Sequence, residues 1–295
     1  MLNANRLALL DELARSGTVH AVGGALSYSP STVSQQLKVL EQEVGVALVE
    51  RVGRGLVLTR EGRALAEHAR DILARMEEAE SDLARLRGTA AGTIRVAVFQ
   101  TAALSVLPTA LDLLASSHPK LRVVVSHIDP ARALPALAAR EHDIVLGEEY
   151  PGRPVARRAG ITLVPLFEDP LVLVVSPGTR HESVGELIFA RAWVMEPEGN
   201  DARQWAVAAC RDLGVEPRVQ YESPDLLVQV RLVETGHAIA VVPELLLRRE
   251  RPRVDRLEFP GRPSRSVFTA HRAAADSSPA VTAVTEAFAQ SALSR

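Results

Sequence analysis

Three polar side chains, those of Ser31, Gln35 and Lys38, recur at helical spacing, four and three residues apart. A hydroxyl, an amide that both donates and accepts, and a flexible ammonium can bind the base edges and phosphates of DNA. The same helix carries an inward apolar stripe at i, i+4 and i+7, formed by Val33, Leu37 and Leu40. An ordinary amphipathic helix with a solvated face is the alternative, and the flanking segments decide against it.

Those flanking segments predict a winged helix-turn-helix, in which the second helix enters the DNA major groove. A helix over Thr18–Leu26 comes first, after a preceding leucine-rich helix. Ser29 can cap the next helix, and Pro30 suits its first position because its missing N–H would be unpaired there anyway. Further on, glycines flank Arg54 and let a hairpin turn sharply as a wing. A solvated basic turn is the alternative for that hairpin.

We assign these residues different roles toward DNA. Gln35 is the candidate for adenine recognition, because its amide matches the donor and acceptor of that base. Lys38, Arg51 and Arg54 are expected to attract phosphates. The residues predicted to bind DNA are Ser29, Pro30, Ser31, Thr32, Ser34, Gln35, Lys38, Arg51 and Arg54.

A long helical pattern then runs from Glu61 to Arg87 without proline. Its apolar residues alternate spacings of four and three, as in a coiled coil: Leu65, Ala69, Ile72, Met76, Ala79, Leu83 and Leu86. A single helix with such a narrow stripe needs a partner, which predicts self-association. A helix packed inside its own molecule is the alternative. Small residues over 88–92 then predict a hinge.

From Thr93 onward, short apolar strands alternate with amphipathic helices, which predicts a mainly parallel sheet covered on both faces. The strands are expected at Thr93–Phe99, Leu121–His127, Asp143–Leu146, within Pro165–Ser176, at Ala192–Met195, Arg218–Tyr221, Ala238–Val242 and Arg265–Ala270. The helices are expected near Leu104–Ser116, Ala131–Arg140, Ala202–Leu213, Asp225–Glu234 and Pro279–Ser291. Two α/β lobes, joined by crossing segments near Ile161–Pro165 and Pro263–Ser266, account for this order.

Ligands of open α/β sheets bind beyond the carboxyl ends of the strands. The candidates at those ends are Gln100, Thr101, Ala102, His127, Glu148 and Glu196. Two ligand classes remain open at this stage. Backbone N–H groups at the start of a helix near Thr101 would bind an anion, whereas Glu148 and Glu196 would favour a cationic or amine-bearing molecule. Solvated carboxylates at strand ends are the alternative to the second class.

Composition excludes several classes of protein. The 295 residues suggest two or three domains, and the single cysteine, Cys210, allows no intramolecular disulfide. No apolar run is long enough for a membrane span, and the amino terminus has no export signal, so we expect a cytoplasmic protein without membrane contact. The net charge is only −2, so DNA affinity would depend on local placement, with the acids turned away from the duplex.

With these residues in hand, the chain resembles the LysR-type transcriptional regulators over essentially its whole length. The densest similarity lies in Leu7–Leu73, and the later half is similar at His118-Pro119, Asp143-Ile144, Leu166–Pro177 and Gly236–Pro243. The resemblance implies ligand-dependent control of transcription by a periplasmic-binding-protein-like effector domain. It also implies a homotetramer built from dimers, bound to inverted repeats in promoter DNA. RNA polymerase is a further candidate partner.

The resulting layout has three parts. Residues 1–60 form the winged helix-turn-helix, 61–92 the linker or dimerisation helix with its hinge, and 93–295 the effector-binding domain. Within that domain, lobe I comprises 93–162 and 267–295, and lobe II comprises 163–266.

Three positions depart from the family pattern. Val22-Gly23-Gly24 replaces an alanine-rich helix, although each glycine costs about 1 kcal/mol relative to alanine in a helix interior. Pro30 stands where glutamine is common, and Val49 replaces a bulky aromatic residue under the wing. These departures bear on affinity and sequence preference more than on the class of protein.

Other functions fit the sequence less well. An enzyme is not expected, because the chain has no nucleophile elbow, no phosphate-binding loop and no paired His/Cys spacing for a metal. We expect no cofactor and no metal. A solute-binding protein would not need the amino-terminal DNA reader, and a nonspecific architectural DNA-binding protein would not need two ligand-sized lobes.

Overall fold

The structure is a computed structural model that describes residues 2–26, 28–52, 55–180 and 183–293. Its amino-terminal unit contains three helices and a hairpin. They are α1 (Ala4–Ser16), α2 (Val19–Leu26), α3 (Pro30–Val44), β1 (Val49–Val52) and β2 (Gly55–Leu58). The backbone N–H of Thr32 donates to Ser29 Oγ at 3.1 Å, which confirms the predicted cap of α3. Gly45 ends α3 in the left-handed region, at φ 76°.

Apolar side chains from all three helices meet in one core, to which α2 contributes Val22. Leu10, Leu40 and Val33 are fully buried there, with Leu48 from the segment before β1. A glycine in α2, Gly23, allows a close approach beside this core. A Cβ on Gly23 would lie 2.6 Å from the carbonyl oxygen of Tyr28, so the glycine in α2 lets the turn close on the helix.

The helix α4 (Arg60–Leu86) has 27 residues and is about 40 Å long. One side, through Ala66, Ala69 and Leu73, is buried against the amino-terminal core. The other side is open in the single chain. Its large apolar side chains are 38–80% exposed: Ile72, Met76, Leu83 and Leu86. The predicted apolar stripe therefore divides, because its amino-terminal part packs inside the chain and the rest does not.

The next segment builds lobe I from alternating strands and helices. Its elements are β3 (Gly92–Val98), α5 (Gln100–Ser105), α6 (Leu107–Ser117), β4 (Leu121–His127), α7 (Pro130–Ala138) and β5 (Ile144–Glu149). The one helix predicted near Leu104–Ser116 is thus two helices. Pro108 lies in the first turn of α6, and since it has no N–H, it cannot continue the hydrogen bonding of α5.

The long strand β6 (Ile161–Val175) then leads into lobe II. The elements of lobe II are α8 (Val184–Ala190), β7 (Ala192–Met195), α9 (Asp201–Asp212), β8 (Arg218–Glu222), α10 (Leu226–Glu234), β9 (Ala240–Pro243), α11 (Glu244–Glu250) and β10 (Asp255–Glu258). The chain returns through β11 (Ser264–Arg272), a 3-10 turn (Ala273–Ala275) and α12 (Pro279–Leu293). Three short elements, α8, α11 and β10, were not predicted from the sequence.

The main sheet is mixed, whereas the sequence predicted a mainly parallel one. Its strand order is β10-β6-β11-β5-β3-β4, with β9 also paired to β6. The strands β4, β3 and β5 are parallel, but β11 lies antiparallel to both β5 and β6. The strand β6 pairs with β11 as far as Pro170, and with β9 and β10 beyond it. Both lobes therefore share β6, and the amino end of β11 lies beside the carboxyl end of β5.

A separate two-stranded parallel sheet, β7-β8, completes lobe II. Within the described part of the chain, no helix is long and apolar enough to cross a membrane.

Candidate functional site

The outward face of α3 is the first candidate site. Ser31, Gln35 and Lys38 are exposed along it, while Val33 and Leu37 on the opposite side are buried. Among the described residues, neither Gln35 nor Lys38 has a hydrogen-bond partner in the chain. Their amide and ammonium groups are therefore free to bind a molecule outside the protein.

The hydroxyl groups at the start of α3 bind one another. Ser29 Oγ lies 2.7 Å from Ser31 Oγ and 2.8 Å from Thr32 Oγ1. Ser34 Oγ donates to the carbonyl oxygen of Pro30 at 3.0 Å. Ser29 and Pro30 are exposed, while Thr32 and Ser34 are half-buried. Ser29 thus acts first as the helix cap, and Ser31 is the most available of the four hydroxyls.

Four acids of the amino-terminal unit are bonded or buried within the chain. Glu41 accepts the backbone N–H groups of Leu48 and Val49, at 2.8 and 3.1 Å, and so fixes the start of the wing. Glu43 pairs with Arg6 at 2.5 Å. Asp11 and Glu12 are buried on α1. This placement reduces the difficulty posed by the weak net charge, because these four acids are engaged within the chain, although Glu50 on β1 is exposed.

The wing contributes Arg51, which is exposed on β1 opposite Leu56 of β2. Arg54, the other predicted phosphate contact, lies outside the described residues. Gly62 positions this hairpin, since a Cβ there would lie 2.0 Å from the carbonyl oxygen of Leu48. The first turn of α4 can therefore press directly against the base of the wing.

The second candidate site is a cleft between the two lobes. It contains two adjoining cavities of about 580 and 220 Å³, which share Asp129, Glu148, Tyr150 and Asn200. Five of the six predicted effector residues line the smaller cavity: Gln100, Thr101, His127, Glu148 and Glu196. The sixth, Ala102, does not, because its methyl group is fully buried in the core of lobe I.

Arg265 forms the floor of this cleft. It is 1% exposed and donates to Asp169 Oδ2 from Nε at 3.1 Å and from Nη2 at 2.7 Å. It also donates to Glu148 and to Thr101 Oγ1, and its guanidinium carbon lies 5.3 Å from the centre of the Phe99 ring. The single positive charge of Arg265 is therefore matched by two carboxylates before any ligand binds.

Burial changes the acid–base properties of the cleft. It raises the pKa of Glu148, against the opposing attraction of Arg265, and it raises the pKa of Glu196. It would lower the pKa of Arg265, but Glu148, Tyr150 and Asp169 outweigh it and raise that pKa. The cleft therefore holds a permanently charged arginine beside carboxyl groups that gain a proton more readily than usual.

Polar contacts join the lobes across the cleft. Arg153 and Asp201 form an ion pair at 2.7 Å, and Gln100 makes two hydrogen bonds. Gln100 Nε2, at the start of α5, donates to Asp225 Oδ1 at 2.7 Å. Gln100 Oε1 accepts the backbone N–H of Leu226 at 3.0 Å, in the first turn of α10. The hydrogen bond from Gln100 is the largest contribution that lowers the pKa of Asp225. His127 lies exposed at the edge of the same cavity.

Four residues of the cleft were not predicted from the sequence: Arg265, Asp169, Tyr150 and Asp225. The predicted site lay at the carboxyl ends of parallel strands, but β11 is antiparallel, so Arg265 reaches the cleft from the amino end of its strand. Asp169 lies in the middle of β6, at the point where that strand passes between the lobes. No feature of the sequence singled out Arg265, because β11 also contains Arg272 and three hydroxyl residues.

The described residues were compared with what a metal site and a reactive thiol require. No group of three His, Cys, Asp or Glu residues there could hold a metal ion. Cys210 is fully buried in lobe II, and burial raises its pKa to about 12. Its thiol is therefore protonated at neutral pH, and a protonated thiol is a poor nucleophile.

Comparison with known proteins agrees with this architecture. Residues 4–63 match the family model described as bacterial regulatory helix-turn-helix protein, lysR family, and residues 87–292 match LysR substrate binding domain. The transcriptional regulator ClcR of Pseudomonas putida is 30% identical over 79% of each chain. The dual regulator OxyR of Escherichia coli is 24% identical over 85% of this chain and 82% of its own.

Solved structures show the same fold. A full-length OxyR from Pseudomonas aeruginosa covers 98% of this chain and 95% of its own, with a TM-score of 0.68 and 19% identity. The regulator CbnR in complex with its target DNA covers 99% of this chain and all of its own, with a TM-score of 0.55 and 24% identity.

The helix-turn-helix unit, the linker helix and the two-lobed domain thus define a DNA-binding transcriptional regulator with an effector-binding domain, not an enzyme. The chain belongs to the LysR family of transcriptional regulators, as the sequence resemblance predicted.

Proposed function

We propose that the face of α3 formed by Ser31, Gln35 and Lys38 recognises promoter DNA in the major groove. The observation that carries this proposal is the exposure of all three side chains while Glu41 and Glu43 are tied to other partners. The start of the helix is positioned by Ser29, Pro30, Thr32 and Ser34. These residues also contact the sugar-phosphate backbone of the DNA beside the groove. Arg51, together with Arg54, supplies phosphate attraction beside the groove.

The DNA-binding form is a homodimer joined through α4. Ile72, Met76, Leu83 and Leu86 leave an apolar surface open on this helix, and a second copy of the helix is its natural cover. The two α3 helices would then meet inverted half-sites about 34–36 Å apart, or a multiple of that distance. Two such dimers form a tetramer on longer promoter sites, where the bound protein meets RNA polymerase. A protein that acts on the bacterial chromosome works in the cytoplasm.

The effector binds in the cleft between the lobes and is a cationic, amine-bearing small molecule. Glu148 and Glu196 face the cavity, whereas the charge of Arg265 is already satisfied by Glu148 and Asp169. The competing anion site at the start of α5 is weaker, because the carboxyl groups of Glu148 and Glu196 line the same cavity and would repel an anion when ionised. An ammonium group would restore the ionised form of Glu196, which burial disfavours.

Switching requires that the effector bind two arrangements of the lobes with different affinity. The contact of Gln100 with Asp225 and Leu226 closes one end of the cleft in the structure. A ligand beside this contact alters the angle between the lobes, and packing between subunits passes that change to the spacing of the DNA-binding dimers.

Thiol oxidation is not the signal, although several relatives are named hydrogen peroxide-inducible genes activators. The buried, protonated thiol of Cys210 is a poor target for peroxide.

A gel-shift series on DNA upstream of the chain's own gene and its neighbours tests the DNA proposal. The native protein should bind and shift at least one fragment in the presence of excess random DNA. A variant with Ser31→Ala, Gln35→Ala and Lys38→Ala should lose this selective binding. Its melting temperature should equal that of the native protein. If the native protein and the variant bound every fragment equally well, the proposal would be contradicted.

The effector class is tested by thermal shift with two four-carbon probes, 1,4-diaminobutane and succinate. The diamine should raise the melting temperature, and Glu196→Gln should reduce this shift. Stabilisation by succinate alone would contradict the cationic class without affecting the proposal for DNA.

A further inference from the structure

A second cavity lies outside the cleft, where α1, α4 and lobe I meet. Its volume is about 580 Å³, within the range of small-molecule sites. The wall from the amino-terminal unit and the linker helix includes Arg15 and Arg70, and the wall from the effector domain includes Arg140, Arg158 and Arg272. Five guanidinium groups from three parts of the fold therefore face one space.

The acids of this cavity do not balance its arginines. Asp11 pairs with both Arg15 and Arg70, the latter at 3.2 Å. Glu77 accepts from both Arg140, at 2.6 Å, and Arg272, at 2.7 Å. Each of these carboxylates thus serves two arginines. Arg272 also pairs with Asp143 at 3.1 Å, but the five arginines still outnumber the three acids that pair with them.

Two further details increase this excess of positive charge. The third lining acid, Glu78, pairs with Arg75, which does not line the cavity, at 2.6 Å. Within the described part of the chain, the guanidinium of Arg158 has neither a hydrogen bond nor an ion pair.

The mutual repulsion is visible at Arg15. Burial, followed by the charges of Arg70, Arg140, Arg158 and Arg272, lowers its pKa to about 10. An anion inside the cavity would relieve this repulsion, since it would interact favourably with every guanidinium at once.

We propose that this junction cavity is a binding site for a small oxyanion carrying at least two negative charges, such as a phosphorylated or polycarboxylate metabolite. Guanidinium groups present paired donors that match carboxylate and phosphate oxygens. Arg158 and the exposed Arg70 are the main ligands, because among the described residues Arg158 has no ion-pair partner and Arg70 shares the carboxylate of Asp11 with Arg15.

Such a ligand would contact the linker helix and the effector domain at the same time. It would therefore favour the packing of α4 against lobe I over any arrangement that separates them. A ligand that stabilises one arrangement must also change the affinity for DNA if the two arrangements bind DNA differently. The site therefore gives the regulator a second chemical input, distinct from the cleft.

Isothermal titration calorimetry of the full chain with pyrophosphate and with citrate tests the site. Chloride at matched ionic strength is the reference. We expect saturable binding at one site per chain, weakened at least tenfold by Arg158→Ala and by Arg70→Ala. Arg249→Ala, which removes an exposed arginine from α11 far from this lining, should bind as the native protein does.

The variants locate the site because Arg158 also borders the cleft, whereas Arg70 does not. If Arg158→Ala lost binding but Arg70→Ala did not, the anion would bind in the cleft and not at the junction, and the proposal would be overturned. Binding that vanishes at matched ionic strength, or that falls equally in Arg249→Ala, would also overturn it. Preference between pyrophosphate and citrate identifies the kind of oxyanion.

Discussion

Glu77 of the linker helix accepts hydrogen bonds from Arg272 of lobe I, with Nε 2.7 Å from Oε1 and 3.0 Å from Oε2. Arg272 is 10% exposed and also donates to the carbonyl oxygens of Leu137 and His142. Glu77 binds Arg140 as well. This cluster is a direct polar connection between α4, which carries the DNA-binding unit, and the effector domain.

Replacing Glu77 with alanine should lower the free energy of unfolding by about 2–3 kcal/mol, because two partly buried arginines lose their shared carboxylate. Arg272 retains Asp143 at 3.1 Å, which limits the loss. Urea unfolding of the full chain measures the effect. Glu80→Ala, an exposed position on the same helix, is the control. Equal stability of the two variants would show that the connection does not stabilise the fold.

Gly23→Ala should destabilise the amino-terminal unit by about 1–3 kcal/mol, although alanine is the better helix former. The added Cβ would lie 2.6 Å from the carbonyl oxygen of Tyr28 and push the turn away from α2. Gly185→Ala in α8 is the matched control, because its nearest neighbour, Ser183 Oγ, is 3.8 Å away. Thermal unfolding should show a loss only for Gly23→Ala, and a gain there would contradict the close approach.

The outcome at these positions shows which features can be predicted from sequence. Ser29 and Pro30 are local signals, since a cap and the first position of a helix depend on neighbouring residues alone, and α3 begins as expected. From the sequence, Gly23 was only a residue that lowers helix stability. Its role could not be predicted, because the carbonyl oxygen of Tyr28 comes close to it only once the turn has folded. The contact of Gln100 with Asp225 joins residues 125 positions apart, and no periodicity connects them.

The pH dependence of stability should report on Glu12. Burial, with a smaller contribution from Glu141, raises the pKa of Glu12 to about 7 from its ordinary value of 4.5, against the opposing effect of Arg158. Between these values the folded chain holds a proton that the unfolded chain has lost, so this group reduces stability as the pH rises from about 4.5 to about 7.

Glu12→Gln removes that dependence. Its melting temperature should exceed that of the native protein at pH 8, and the difference should shrink toward pH 4. Glu67→Gln, an exposed change on α4, should show neither effect. A constant difference at all pH values would mean that Glu12 does not titrate in this interval.

Lys38→Ala should weaken binding to all DNA sequences alike, because a phosphate contact carries no base information. The slope of log K against log salt should become less steep by about one unit. Fluorescence anisotropy at several salt concentrations measures this slope. Lys120, the other lysine of the sequence, is exposed before β4, and Lys120→Ala should leave the slope unchanged.

The central claim is that the outward face of α3 distinguishes one DNA sequence from another, and Gln35 tests it most directly. Selection of bound fragments from a randomised half-site should give native protein a preference for adenine at defined positions. Gln35→Ala should lose about 1–3 kcal/mol of that discrimination there while retaining affinity for random DNA. An identical base preference for Gln35→Ala and the native protein would contradict the assignment of this face to base recognition.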